Sequence, residues 1–267
     1  MEKIRVGFIG TGNMGGAIIG GILSKFGTEA EIHAFDTDRE KLEKFVGKGV
    51  IPEEKAGDIP AKCKYVFLAI KPQTFDAAMP GIKPFVTEDN VIVSIAAGIG
   101  EEYIQSQTVP NAKTVIVMPN TPFLLGEGAT ALAKGKYTTD EEFSAVRSIF
   151  ETGGKAAVVP MDKMKEIIAV NGSSPAFIYL FAKAFTEYAE SVGIDGDTAK
   201  ELFAQSLVGS AKMITDSGNT LDELIRMVSS PGGTTLAGLD ELYKGNLEDT
   251  VKKCCESCTR RAYELSK

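Results

Sequence analysis

Short apolar runs alternate with amphipathic stretches through the first 160 residues. Ile4, Val6, Phe8 and Ile9 predict a strand, and Met14, Ala17, Ile18 and Ile22 then recur at helical spacing. A second strand is predicted over Glu31–Phe35, and Asp38–Val46 reads as an amphipathic helix with Leu42, Phe45 and Val46 inward. A polar stretch containing Pro and Gly, Pro52–Lys62, follows with no element assigned. Tyr65–Ile70 (YVFLAI), Asn90–Ile95 (NVIVSI) and Thr114–Met118 (TVIVM) are almost unbroken apolar runs, the pattern of parallel strands buried on both faces. A shorter strand near Ala129–Ala133 and a helix near Asp140–Phe150 complete the alternation, which predicts a doubly wound α/β half.

From Met161 the pattern turns helical. Phe177, Phe181, Ala184, Phe185 and Tyr188 form one stripe. Ala199–Ile214 is apolar on more than one side, which points to burial by neighbours or by another subunit. Thr220 and Glu223 have capping-box spacing, with Leu221, Leu224, Ile225 and Val228 expected as the buried face behind them. Leu236, Leu239 and Leu242 are expected to face inward from the next helix. The boundary is therefore set at a dinucleotide-binding domain over residues 1–160 and an all-α domain over residues 161–267.

Composition changes this picture little. The chain has 267 residues, 43% of them hydrophobic and 24% charged, and a net charge of −7 that argues against nucleic acid or an anionic membrane as partner. No apolar run reaches the ~18 residues of a membrane span, and the N-terminus enters a strand without a leader pattern, so the cytoplasm is the expected location. Three of the four cysteines (Cys254, Cys255, Cys258) cluster near the C-terminus, but zinc needs four ligands and His33, the only histidine, is distant in sequence. Leu247, Val251, Cys254, Cys258, Ala262 and Leu265 form one helical stripe, so Cys254 and Cys258 read as small core hydrophobes and no metal site is expected.

The chemistry sits at two glycine turns. Gly10-Thr11-Gly12-Asn13-Met14-Gly15 lies between the first strand and the first helix: Gly10 for the sharp turn, Gly12 for backbone approach to a pyrophosphate, Gly15 for close helix–strand packing. Asp36 closes the second strand 21 residues after Gly15, the spacing of a ribose-binding carboxylate in a Rossmann-type fold. Lys71-Pro72 ends another strand, which puts Lys71 either at the ligand-binding edge of the sheet or on an ordinary solvated surface. Ala96-Ala97-Gly98 leaves room for a flat ring, and Pro119-Asn120-Thr121-Pro122 fixes a polar turn at the same edge. The second glycine turn, Ser229–Thr235, offers backbone N–H groups and two hydroxyls at a helix start, suited to a small anion or simply to an interhelical turn.

Taken together, FIGTGNMGGAI, LAIKP (Leu68–Pro72), SIAAG (Ser94–Gly98), MPNTP (Met118–Pro122), GEGATAL (Gly126–Leu132), GSSPAF (Gly172–Phe177), GSAKM (Gly209–Met213) and SPGGTT (Ser230–Thr235) resemble the pyrroline-5-carboxylate reductase family. The resemblance implies NAD(P)H-dependent reduction of 1-pyrroline-5-carboxylate, a small cyclic imine, to L-proline, the last step of proline biosynthesis. It implies a helical domain that interlocks as a homodimer, extending to a ring of dimers. For the cofactor it carries over Ile9, Gly10, Thr11, Gly12, Asn13 and Met14, then Ala69, Ile70, Lys71 and Pro72, then Ile95, Ala96 and Ala97. For substrate it carries over Gly232, Gly233, Thr234 and Thr235, with the Gly233 and Thr234 N–H groups on the carboxylate and the Thr235 hydroxyl, the catalytic group, at the ring nitrogen.

Two positions depart from the family pattern. Asn171 stands where serine is usual, before Gly172. Asp36 repels a 2′-phosphate, so NADH is expected to be usable beside NADPH, the family's usual cofactor, with Arg39 near enough to favour the phosphate. Two rival readings are a hydroxyacid dehydrogenase and a non-catalytic dinucleotide sensor. The first lacks its lysine–asparagine pattern around Lys163, Lys165 and Asn171, and the second has no use for SPGGTT.

Overall fold

The computed structural model describes residues 4–266. Its first compact unit runs to Ser173 and takes in the chain's end from Ser257, while Ser174–Glu256 forms a second. The first unit comprises β1 (Ile4–Ile9), α1 (Asn13–Phe26), β2 (Ala30–Phe35), α2 (Arg39–Glu43), β3 (Val50–Pro52), α3 (Asp58–Lys62), β4 (Tyr65–Leu68) and α4 (Phe75–Ile82). It continues with β5 (Val91–Ser94), α5 (Glu101–Gln107), β6 (Lys113–Met118), β7 (Gly128–Lys134), α6 (Asp140–Phe150) and β8 (Gly154–Val158).

The eight strands form one sheet in the order β3-β2-β1-β4-β5-β6-β7-β8. Every neighbouring pair is parallel except β6 and β7. Chain direction across the sheet reverses between β1 and β4, the switch point at which open α/β sheets leave a crevice. Ile18, Ile19 and Ile22 of α1 and Val146 and Phe150 of α6 cover one face, over Phe8 and Phe67, whose rings stack at 4.5 Å. Ile59, Phe75, Met79 and Ile104 cover the other over Val66, Leu68, Ile92 and Ile116. Each such side chain is fully or nearly fully buried, worth about 1.5–3 kcal/mol apiece. That double coverage is why β4 and β5 are apolar without alternation.

Several short elements differ from the pattern-based expectation. The helix expected over Asp38–Val46 is only α2; the chain continues as turns through Gly47 and Gly49 (φ +87° and +99°), and Val46 is exposed. The stretch Pro52–Lys62 holds the end of β3 and α3, whose Ile59 is fully buried. β8 adds an edge strand beside β7, at the short run over residues 156–158, where no element is expected.

The second unit holds α7 (Ser174–Ser191), α8 (Gly196–Asp216), α9 (Leu221–Met227), α10 (Thr234–Lys244) and the first turns of α11 (Leu247–Leu265). α7 and α8 pair through Phe185 and Phe203, whose rings stack at 4.3 Å. The capping box at α9 forms as its spacing predicts: Glu223 N donates to Thr220 Oγ1, and Thr220 N to Glu223 Oε2. The buried face expected behind it does not form within one chain: Leu221 is 61% and Val228 66% exposed, and Leu236 and Leu242 are exposed too. In α11 Ala262 is buried and Cys254 and Cys258 half-buried, but Val251 and Leu265 remain about half exposed. No helix among the described residues is long and apolar enough to cross a membrane.

Candidate active site

β1 ends at Ile9, and the chain turns at Gly10 with φ +102°, a conformation side chains disfavour. Gly10 N donates to Phe35 O (2.8 Å) and Ala69 N to Ile9 O (2.9 Å), so the ends of β2, β1 and β4 are laced together. A Cβ on Gly10 would lie 2.5 Å from Ala69 O, and one on Gly15 would lie 2.4 Å from Gly10 O. Gly12 differs: nothing lies within 4 Å of a Cβ placed there. It is the N-cap of α1, which has no side-chain cap and no acid in its first turn. An open backbone at an uncapped 14-residue helix start, backed by a closed turn, fits the diphosphate of a dinucleotide.

The other carried-over cofactor positions sit at neighbouring strand ends. Ala69, Ile70 and Lys71 follow β4, and Pro72 opens a short 3-10 turn in which Thr74 N and Oγ1 both donate to Lys71 O. Lys71 is exposed. Ile95, Ala96 and Ala97 follow β5, where Ile95 N donates to Leu68 O (3.4 Å), Ala96 is buried and Ala97 exposed. The ends of β1, β4 and β5 lie side by side, so these three groups, scattered in sequence, flank the switch point together. Ala96 and Met118 also line a cavity of about 340 Å³, walled by Lys165 and by Tyr263. The Lys165 ammonium lies 4.4 Å from the Tyr263 ring, and Tyr263 donates to Glu166 Oε1 (2.9 Å).

Asp36 follows β2 and faces the glycine turn. Its Oδ2 accepts from Thr11 N (2.6 Å) and Thr11 Oγ1 (3.1 Å), and its Oδ1 from Asp38 N (2.9 Å). Arg39 is turned away, its guanidinium 2.6 Å from Glu54 Oε2, a contact that raises its pKa.

The turn after β6 is fixed by two asparagines. Asn171, buried near the end of a π-helical turn (Ile168–Gly172), donates to Met118 O (2.7 Å) and Ala129 O (2.9 Å). Asn120 donates to Asn171 O (3.1 Å) and accepts from Ala129 N (2.9 Å). A serine at 171, with one hydroxyl hydrogen, cannot donate to both carbonyls at once. Cys258 Sγ and Ser173 Oγ are 3.2 Å apart at the same level.

In the second unit Gly232 has φ +70° and Gly233 is the N-cap of α10. Gly233 N donates to Ser230 O (2.9 Å) and is engaged within the turn. Gly233 N thus already has a partner within the turn, and the N–H groups of Thr234, Thr235 and Leu236 come ahead of the helical bond from Ala237 N to Gly233 O.

Comparison with known proteins separates the readings left open by the residues. Residues 161–265 match the family described as pyrroline-5-carboxylate reductase dimerisation, and residues 5–98 match NADP oxidoreductase coenzyme F420-dependent. Pyrroline-5-carboxylate reductase 3 of Xenopus laevis is 34% identical over 267 residues, 99% of this chain and 97% of that protein. The chain belongs to the pyrroline-5-carboxylate reductase family. A solved reductase of this family from Coxiella burnetii superposes with a TM-score of 0.91 at 30% identity, covering 98% of each chain. The Plasmodium falciparum pyrroline carboxylate reductase with NADP bound gives 0.88 at 25% identity over the full length of both. The mainly parallel sheet lies in the first unit, while the matched dimerisation region, residues 161–265, takes in the whole second unit with flanking parts of the first, and makes the chain a homo-oligomer. Lys41 and Lys44, which no motif marks, line a groove beside the glycine turn together with Phe45, expected only as an inward helix residue; their place just after Asp36 is the signal the sequence carries.

Proposed function

We propose that this chain reduces 1-pyrroline-5-carboxylate to L-proline, the closing step of proline biosynthesis, as an NAD(P)H-dependent homodimer that extends to a ring of dimers in the cytoplasm. The observation that carries the reading is similarity to a reductase over 99% of the chain, joined to a glycine turn whose open and closed positions suit a dinucleotide. Four free cysteines accord with a reducing compartment.

When bound, the reduced nicotinamide supplies a hydride to the imine carbon. The chain's residues have the rest to do. The α1 start and the turn Gly10–Met14 hold the diphosphate, Asp36 takes a ribose hydroxyl, and Ala69–Pro72 and Ile95–Ala97 border the remainder of the cofactor. The turn Gly232–Thr235 takes the substrate carboxylate through the N–H groups of Thr234 and Thr235. The Thr235 hydroxyl orients the ring nitrogen and helps keep its proton. A protonated imine is already electrophilic, so no histidine or carboxylate dyad is needed. Positioning at a reacting distance of ~3–3.5 Å supplies several kcal/mol.

The test is absorbance decay of NADH or NADPH on addition of pyrroline-5-carboxylate, with proline identified as product. Thr235→Ala is expected to raise KM and lower kcat, cutting kcat/KM about tenfold to hundredfold. A Thr235→Ala enzyme with the parent's constants removes Thr235 from the mechanism.

A further inference from the structure

The groove beside the glycine turn has chemistry that the diphosphate does not use. α1 and the residues after α2 touch closely, since a Cβ on Gly16 would lie 2.8 Å from Phe45 Cζ. Next to that contact is a cavity of about 280 Å³ whose wall includes Thr11, Gly12, Asn13, Lys41 and Lys44. Thr11 is also the residue that binds Asp36, through both its N–H and its hydroxyl. Thr11 is thus shared between Asp36 and the wall of this cavity, which places the cavity next to the carboxylate.

The charges around the groove are unequal in their freedom. Asp36 receives three hydrogen bonds, from Thr11 N, Thr11 Oγ1 and Asp38 N, so much of its charge is already met. Arg39 is held by Glu54 and does not line the cavity. Lys41 lies 2.8 Å from Asp38, which raises its pKa and keeps it cationic. Lys44 has no carboxylate partner among the described residues.

We propose that Lys44, backed by Lys41, recognises the 2′-phosphate of NADPH in this cavity, while Asp36 serves the 2′-hydroxyl of NADH. Lys44 is then the residue that sets the balance between the two dinucleotides, in place of Arg39. The inference rests on the dinucleotide reading of Gly10–Gly15 and names a residue that the reading does not require. An exposed ammonium attracts a phosphate mainly within the Debye length, ~8 Å at physiological salt, so this recognition is salt-dependent.

Binding separates the inference from the activity. Dissociation constants for NADH, NADPH, adenosine 5′-monophosphate and adenosine 2′,5′-bisphosphate are measured by calorimetry on the full-length oligomer, as parent, Lys44→Gln, Lys44→Arg and Arg39→Gln. Lys44→Gln is expected to weaken NADPH and the bisphosphate about fivefold or more relative to their unphosphorylated partners, and Lys44→Arg to restore most of that ratio. The parent's preference for NADPH, as the ratio of its affinity to that for NADH, is expected to fall with added salt more steeply than that of Lys44→Gln. An unchanged ratio in Lys44→Gln, or a ratio that moves in Arg39→Gln instead, overturns the assignment and leaves the reductase standing. Failure of the parent to bind any dinucleotide overturns both.

Discussion

Gly12 and Gly15 lie three positions apart and are glycine for opposite reasons. Gly15 has no room, because a methyl there meets the Gly10 carbonyl at 2.4 Å, whereas Gly12 has nothing beside it within 4 Å. Gly15→Ala should therefore cost about 1–3 kcal/mol of stability, as overpacking against backbone does. Gly12→Ala should keep the parent's melting temperature yet weaken dinucleotide binding about tenfold, the scale of one lost hydrogen bond to a charged phosphate. Thermal melts and nucleotide titrations of both variants check this, and equal loss of stability in the two would contradict it. Both glycines were legible in the sequence as a spacing. Asp36 was legible as a position only: its grip on Thr11 depends on the ends of β1 and β2 lying in register, and Asn171 reaches Met118 and Ala129 across more than 40 residues.

Among the elements, α6 is the one whose bounds match its expected span, Asp140–Phe150, and its capping box explains why. Thr139 Oγ1 accepts from Glu142 N (3.2 Å), and Glu142 Oε2 accepts from Thr139 N (3.1 Å). Glu142 is also buried, with Lys113 at 2.8 Å and Lys64 at 3.2 Å. Burial disfavours its ionised form, but the Lys113 hydrogen bond, the Thr139 N–H and Lys64 outweigh that and bring its pKa from 4.5 to about 2. Because the folded value lies below the unfolded one, the stabilisation is complete above about pH 4.5 and is lost as pH falls towards about 2. It amounts to at most about 3 kcal/mol. Denaturant midpoints followed from neutral to acid pH should drop for the parent and stay flatter, from a lower start, for Glu142→Gln; parallel curves would refute the assignment. Where no cap or apolar run marks an element, as in β3 and α3, strand pairing and a single buried residue such as Ile59 create it, and local pattern carries little of either.

At the scale of the whole molecule, the second unit is only half explained by its own chain. Its stripes are arranged as on buried helices, yet Tyr188, Leu221 and Val228 are mostly exposed. Apolar surface on that scale marks an association site, in keeping with the matched dimerisation region. The stripes were legible; what covers them was not, since periodicity reports that a face is apolar and not which molecule meets it. Leu221→Asp combined with Val228→Asp is expected to reduce the sedimenting mass of the oligomer and to lower proline formation with it. An unchanged mass would show that this face serves another purpose.

The reductase proposed above passes hydride directly from the reduced dinucleotide to the imine carbon of its substrate. The most direct measurement is isotope transfer: reduced nicotinamide dinucleotide carrying deuterium at both C4 positions is incubated with the enzyme and pyrroline-5-carboxylate, and the proline is analysed by mass and NMR. The predicted result is one deuterium, on the ring carbon that was the imine carbon. Proline without that label, or oxidation of the dinucleotide without proline, would contradict it.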